Sequence, residues 1–107
     1  MPRGESEITL FFLTARGPRP TFATDMTEEE RKVMGEHVAY WKARLDEGKV
    51  LVFGPVLDPK EVFGIAIVDV NDEAEMRALI ASDPAVKAGI HARDEFYPMS
   101  PRAFVRR

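Results

Sequence analysis

Residues 27–48 read TEEERKVMGEHVAYWKARLDEG, and this stretch predicts a long amphipathic helix. Thr27 with Glu30 three residues later is a capping-box signature, which marks a helix start. Three glutamates in the first turn suit the positive end of the helix dipole, and Gly48 is the expected stop signal. A helix of this kind is stable when its apolar stripe is covered, so the flanking segments must supply a layer for it to pack against.

Extended segments flank this helix on both sides. The segments rich in β-branched and aromatic residues, which predict strands, are 7–16, 49–56, 62–70 and 93–100. Residues 71–82 predict a second helix opened by Asn71 or Asp72, and residues 83–89 a short helical turn with Asp83 as its N-cap. The order strand, helix, strand, strand, helix, strand is the ferredoxin-like βαββαβ arrangement of the α+β class. It predicts a four-stranded antiparallel sheet with both helices on one face.

The predicted strands are apolar on both faces. In the first strand we expect Ile8, Leu10 and Phe12 on one face and Phe11 and Leu13 on the other, and in the second Val50 and Val52 opposite Leu51 and Phe53. An antiparallel sheet with one face in water would alternate apolar and polar residues instead. Because two helices cover only one face, we expect the other face to be buried in a two-fold homodimer packed sheet to sheet. The C-terminal segment PRAFVRR is too short to cover it.

Length and composition restrict the class of protein. The 107 residues suit a single domain over 1–107, and we expect 1–6 and 102–107 to be flexible tails. A hydrophobic content of 45% with 31% charged residues predicts a folded globule. The net charge of -3 provides no electrostatic footprint for nucleic acid or an anionic membrane. The N-terminal MPRGESE lacks the apolar core of a signal peptide, so a cytoplasmic location is expected.

His37 stands out because a titratable ring falls inside the apolar stripe of the long helix. At about 100° per residue, it projects beside Val33 and Trp41, away from the charged side chains of the same helix. A buried imidazole must be hydrogen-bonded, so His37 is either a satisfied core residue or part of a site. Tyr40 and Trp41 are likewise either core residues or the wall of a substrate pocket.

A catalytic histidine usually has a partner that fixes its tautomer, and two aspartates are candidates. Asp58 precedes a proline in LDPK, where a turn explains it, and Asp83 precedes a proline in SDPA, where a helix cap explains it. Asp83 closes the second helix, which should lie beside the first. His91 follows Gly89 and Ile90 in a predicted loop, and we expect it to be exposed to solvent.

Other chemistries find no support in the sequence. There is no cysteine, no glycine-rich phosphate loop and no serine in a nucleophile elbow. His37 and His91 lack the short spacing of metal ligands, so we expect no metal site, although the two could still converge in space. The aromatic residues are not interleaved with basic ones as in an RNA-binding sheet.

Taken together, these segments resemble the YCII-related domain proteins. The similarity rests on MGEHVAYWKARLDEGKVLVFGPVLDP at 34–59, FGIAIVDVNDEAEMRALIASDPAVKAG at 63–89 and EFYPM at 95–99. It implies a ferredoxin-like fold that forms a dimeric α+β barrel, with His37 and Asp83 as the catalytic pair. One member of the family removes hydrogen chloride from chlorinated hydroxyquinones, which implies lyase or isomerase chemistry. The loop RGPRPTFATDM at 16–26 is longer than is usual in the family and is expected to reach a pocket rim, with Arg16 and Arg19 solvated.

Two functions follow as hypotheses. In the first, the protein is a cofactor-independent enzyme in which Asp83 orients His37 and neutral His37 takes a proton from a small organic substrate, with Tyr40 and Trp41 binding that substrate. In the second, it is a non-catalytic dimeric module that uses the same pocket to hold a small ligand or a partner. Neither function involves nucleic acid or a membrane.

Overall fold

The structure, a computed structural model, describes residues 9–106. In chain order, its elements are β1 (Leu10–Ala15), α1 (Phe22–Asp25), α2 (Glu28–Asp46), β2 (Val50–Val56), β3 (Phe63–Asp69), α3 (Glu73–Ala81), α4 (Pro84–Lys87) and β4 (Glu95–Pro98). Residues 1–8 and 107 lie outside the described part, and with them Ile8 and the whole of the predicted N-terminal tail 1–6.

The four strands form one antiparallel sheet in the order β2-β3-β1-β4. The first and third strands lie in the centre, and the second and fourth lie at the edges. This is the strand order of the ferredoxin-like fold, so the predicted α+β architecture is confirmed. The central pair aligns Leu13 with Ala66, and Leu13 also pairs with Phe96 on the opposite side.

The start of α2 has the predicted capping box. The Thr27 hydroxyl accepts a hydrogen bond from the Glu30 N–H at 3.1 Å, and the Glu30 carboxylate accepts one from the Thr27 N–H at 2.9 Å. The chain leaves the helix through Gly48, whose φ of 83° lies in the left-handed region that suits glycine. Among the helices in residues 9–106, none is long and apolar enough to cross a membrane.

The main core lies between the sheet and α2 and α3. Its buried members are Phe11, Leu13, Trp41, Val50, Ala66, Val68, Val70, Met76 and Leu79. Trp41 from α2 is only 3% exposed, and Met76 from α3 is fully buried. Burying side chains of this size supplies most of the free energy that holds the two layers together.

One side-chain direction predicted for β2 is wrong. A bulge between Val50 and Val52 lets Val50 pair with Val68, while Val52 pairs with Ile67. Since adjacent residues of β3 point to opposite faces, Val50 enters the core and Val52 lies on the other face. Regular alternation had predicted that Val50 and Val52 share a face. A one-residue bulge between them is enough to place them on opposite faces.

The sheet face opposite the helices is only partly covered. Along it lie Phe12, Val52, Ile65, Ile67 and Tyr97. Val52 is 49% exposed and Tyr97 is 52% exposed. We call these five residues the open face. They account for the apolar character that the sequence predicted on both sides of the strands.

The loop before α2 contains an element that the sequence did not predict. Residues Phe22–Asp25 form one helical turn, although Gly17, Pro18 and Pro20 had indicated irregular structure. The turn is fixed by Phe22, which is buried in a second small core with Ala85 and Ile90. This tertiary packing, rather than local helix propensity, explains the turn.

Gly17→Ala is expected to destabilise the fold by about 1 to 3 kcal/mol, because the new Cβ would lie 2.6 Å from Phe22 Cδ2 and 2.9 Å from Phe22 Cβ. Gly35→Ala is the matched control. Gly35 is an exposed position in α2 with no atom within 4 Å of an added Cβ, and alanine there should stabilise the helix by about 0.5 to 1 kcal/mol. Urea unfolding measures both, and equal effects of the two substitutions would contradict the packing described for Phe22.

Candidate active site

His37 and Asp83 come together where α2 passes the start of α4. His37 Nδ1 lies 2.8 Å from Asp83 Oδ2 and 2.9 Å from Oδ1. The His37 side chain is 16% exposed, while the Asp83 side chain is 2% exposed. The two residues are separated by 46 positions, so this contact is a product of the tertiary fold.

Asp83 is held from three directions. In addition to His37, its Oδ2 accepts a hydrogen bond from Trp41 Nε1 at 2.9 Å, and its Oδ1 accepts one from the Ala85 N–H at 2.9 Å. The last bond is the N-cap of α4 that the sequence predicted. Asp83 is therefore a helix cap and the partner of His37 at once, so the two interpretations of this residue were not alternatives.

The surroundings of Asp83 fix its charge. Burial alone would raise its pKa, but the hydrogen bonds from His37 and Trp41, the charge of His37 and the Ala85 N–H outweigh burial and hold the pKa of Asp83 below its ordinary value. An ionised carboxylate only accepts hydrogen bonds, so Nδ1 of His37 must carry the proton between them. When His37 is neutral, its Nε2 is then the nitrogen with the free lone pair.

A cavity of about 260 Å³ adjoins this pair. His37, Trp41 and Met34 of α2 line one side, and the ends of the central strands line another. Phe22, Ala23 and Met26 complete the wall, so the loop at 16–26 does reach the cavity, as the sequence analysis expected. Apart from two histidines, the described lining residues carry no ionisable side chain.

Trp41 and Tyr40 differ in their relation to the cavity. Trp41 is both core and cavity wall, since it is 3% exposed and lines the space beside His37. Tyr40 is not among the described residues that line the cavity. Its hydroxyl donates to the Leu79 carbonyl at 2.7 Å, and its ring stacks edge-on against Trp41. Tyr40 therefore turns toward α3 rather than lining this cavity, and its contact with a substrate stays a prediction.

His91 was expected to be exposed, and this is wrong. It is 6% exposed and lines the cavity, and its ring lies perpendicular to that of His37 with the centroids 4.7 Å apart. Its backbone N–H donates to the Ala85 carbonyl at 3.0 Å, which folds the loop back under α4. No local pattern marks this burial, because it arises when Ile90 enters the small core with Phe22.

Two ionisable groups beside the pair, the buried His91 and the partly buried Asp94, have shifted pKa values. Burial and the neighbouring charge of His37 lower the pKa of His91 to about 4, and Asp83 only partly opposes them. Burial and the charge of Asp83 raise the pKa of Asp94 to about 7. His91 is therefore neutral at physiological pH, and Asp94 is partly protonated. The sequence did not indicate a role for Asp94, because it lies directly before β4 in no recognisable motif.

Three of these groups could also hold a metal ion. One ligand atom each from His37, Asp83 and His91 lies within 4.8 Å of the others. The fold therefore brings together residues whose sequence spacing had argued against a metal site. Asp83 is already bonded to three donors and His37 Nδ1 faces Asp83, which leaves this arrangement better suited to holding a proton than a cation. The absence of a metal stays a prediction.

The remaining candidates have surface roles. Asp58 accepts a hydrogen bond from the Lys60 N–H at 2.9 Å within its own turn, as predicted. Arg16 pairs with Glu61 at 3.2 Å, and Arg19 pairs with Asp25 and Glu30, both at 2.8 Å. These pairs brace the loops around the cavity, but their arginines do not line it.

Asp94→Asn is expected to stabilise the fold at about pH 8 and to have little effect near pH 4. The folded pKa of Asp94 is about 7, against 3.8 in the unfolded chain, so the stability that its protonated form provides is complete below 3.8 and is lost as the pH rises through 7. The gain above pH 7 should be on the order of 1 to 3 kcal/mol. Urea unfolding at several pH values measures it, with Asp58→Asn as the matched control. A gain independent of pH would rule out the shifted carboxyl.

Comparison with known proteins identifies the domain family and the fold. Residues 10–100 match the YCII-related domain. No curated protein matches the sequence. One similar solved structure is 5-chloro-2-hydroxyhydroquinone dehydrochlorinase from Burkholderia phenoliruptrix in complex with 2,5-dihydroxybenzoquinone. It aligns with a TM-score of 0.66 at 18% identity, over 85% of this chain and 93% of that chain.

A second similar structure is a conserved protein from Methanosarcina mazei, with a TM-score of 0.50 at 14% identity over 89% of this chain and 94% of that chain. At these identities the two structures establish a shared fold. The domain match covers most of the sequence, which confirms the resemblance noted above. The chain therefore belongs to the YCII-related domain family.

Proposed function

We propose that the protein is a cofactor-independent enzyme that transfers a proton on a small organic substrate, with lyase or isomerase chemistry. His37 is the general base, and Asp83 is the residue that orients it. The observation that carries this proposal is the 2.8 Å contact between His37 Nδ1 and the buried carboxylate of Asp83 at the wall of a cavity. A base fixed in this way presents a defined lone pair to whatever the cavity holds.

The reaction uses the opposite side of the imidazole ring. Asp83 holds the proton on Nδ1, so Nε2 of neutral His37 removes a proton from an acidic C–H or O–H group of the substrate. The ring becomes an imidazolium, and the Asp83 carboxylate stabilises its positive charge without taking the proton. The bonds from Trp41 and Ala85 keep that carboxylate in place during the reaction.

The lining of the cavity suggests the class of substrate. An apolar cavity of about 150 Å³ in another protein binds benzene, so about 260 Å³ is enough for a substituted ring. The scarcity of charge in the wall favours an uncharged molecule over a phosphate or carboxylate. The similar fold of a dehydrochlorinase that acts on a hydroxylated ring agrees with this choice.

The proposal predicts that His37→Gln and Asp83→Asn each lower turnover about 10²- to 10⁴-fold. The first probe is 5-chloro-2-hydroxyhydroquinone, with chloride release as the measurement, followed by other uncharged hydroxylated rings. Asp58→Asn is the control, since Asp58 serves only a turn, and it should retain full activity. In Asp83→Asn the proton of His37 is no longer held on Nδ1, so Nε2 is less often available as the base. This variant should therefore lose turnover more than substrate affinity.

Two outcomes would contradict the proposed enzyme. Wild-type protein that binds these rings in the cavity, yet turns over none of them and is unchanged by His37→Gln, would support the non-catalytic binding module instead. Equal activity of wild type and both variants on any ring would remove His37 and Asp83 from the mechanism.

We also propose that the chain works as a homodimer formed through the open face. Its apolar residues on the central and edge strands form a surface that soluble monomers usually cover. A dimer would place the two sheets against each other and leave both cavities on the outer, helical layers. A cytoplasmic location likewise stays a prediction.

Light scattering at micromolar concentration should therefore give about twice the 12.1 kDa mass of one chain. Val52→Lys should produce monomers, because it places a charge on the open face at edge strand β2, where Val52 is 49% exposed in the single chain. Val38→Lys is the matched control on α2, where Val38 is 51% exposed on the other side of the sheet. Monomeric wild type, or dissociation by the control alone, would refute this interface.

A further inference from the structure

Among the described residues that line the cavity, His91 is the one ionisable group that the proposed mechanism does not use. Only 6% of its surface is exposed, and it lines the cavity beside His37. Its Nδ1 is buried without a hydrogen-bond partner among the described residues. A buried polar atom left unpaired is rare in native proteins and calls for a structural or functional reason.

The position of His91 is fixed by the same turn that holds Asp83. The Ala85 N–H donates to Asp83 Oδ1, and the Ala85 carbonyl accepts from the N–H groups of Ile90 and His91. Ala85 itself is fully buried. The backbone of Ala85 thus holds both the Asp83 carboxylate, which bonds to His37, and the backbone of His91.

The burial of Nδ1 indicates the tautomer of His91. A buried N–H group without an acceptor is rarer than a buried acceptor without a donor, so Nδ1 is the bare nitrogen. The proton of the neutral ring then sits on Nε2. The two histidines are therefore complementary: His37 has its proton on Nδ1 toward Asp83, and His91 has its proton on Nε2.

We propose that His91 is a second functional residue of this site, which donates a hydrogen bond from Nε2 to the substrate oxygen on which negative charge develops. This inference rests on the proposed proton transfer by His37. Since their rings lie perpendicular with centroids 4.7 Å apart, one ring-sized substrate can contact both. A preorganised donor of this kind stabilises the charge that develops on the substrate in the transition state.

Nε2 of His37 forms a bond to the proton that leaves the substrate. When a C–H bond breaks, its electron pair forms a C=C bond and the π pair of the adjacent C=O moves to oxygen; when an O–H bond breaks, its electron pair stays on the oxygen. His91 donates to that oxygen and keeps its own proton. In an isomerisation, His37 returns the proton to another substrate atom. In an elimination, the electron pair expels the leaving group, and His37 gives its proton to water.

The test uses two ring-sized probes, 4-nitrophenol at a pH at which it is ionised and nitrobenzene, which lacks the phenolic oxygen. Trp41 is the only tryptophan and lines the cavity, so quenching of its fluorescence reports binding of either probe. His91→Phe should weaken binding of nitrophenolate about tenfold and leave nitrobenzene binding within about twofold. His91→Gln keeps an N–H donor and should recover part of the nitrophenolate affinity.

Each other outcome overturns the proposal. If His91→Phe weakens both probes alike, His91 only shapes the wall. If neither His91 variant changes nitrophenolate binding, His91 has no role toward an oxyanion, while the proposed reaction at His37 still stands. If wild type binds neither probe, the cavity is not a site for such rings, and the proposed function falls with it. Retained nitrobenzene binding by the variants shows that their cavity is folded.

Discussion

The structure depends on one buried carboxylate. Asp83 is 1% exposed, and a charge at that depth is tolerated only when its oxygens are hydrogen-bonded. Its three donors come from α2, through His37 and Trp41, and from its own turn, through Ala85. The same bonds therefore join α2 to α4, cap a helix and set the tautomer of the histidine at the cavity. Removing the carboxylate would disturb packing and chemistry together.

Around this carboxylate the two histidines have different environments. His37 shares a hydrogen bond with an ionised carboxylate, whereas His91 is buried with no described hydrogen-bond partner at Nδ1 and has its pKa lowered to about 4. A histidine oriented by a carboxylate suits the role of a base, and a histidine that stays neutral suits the role of a hydrogen-bond donor. The apolar lining of the cavity offers few other polar groups that could compete for either interaction.

The sequence predicted what is encoded locally or by regular periodicity. The capping box at Thr27, the stop at Gly48 and the cap at Asp83 are short-range signals, and all three are present. The order of strands and helices was enough to predict the ferredoxin-like fold. The errors concern features that only the assembled core decides: the turn at Phe22–Asp25, the bulge after Val50, and the burial of His91. The position of Asp94 and the packing of Tyr40 against α3 are likewise decided by the assembled core.

The most direct test of the central claim is the tautomer of neutral His37, read from long-range ¹H–¹⁵N correlations of its imidazole ring. With only two histidines in the chain, the two ring systems can be assigned by comparison with a single His91→Gln variant. The account predicts that His37 has its proton on Nδ1, held by Asp83, and that this preference is lost in Asp83→Asn. A neutral His37 with its proton on Nε2 in the wild-type protein would contradict it, because the ring would then have no lone pair to offer the substrate.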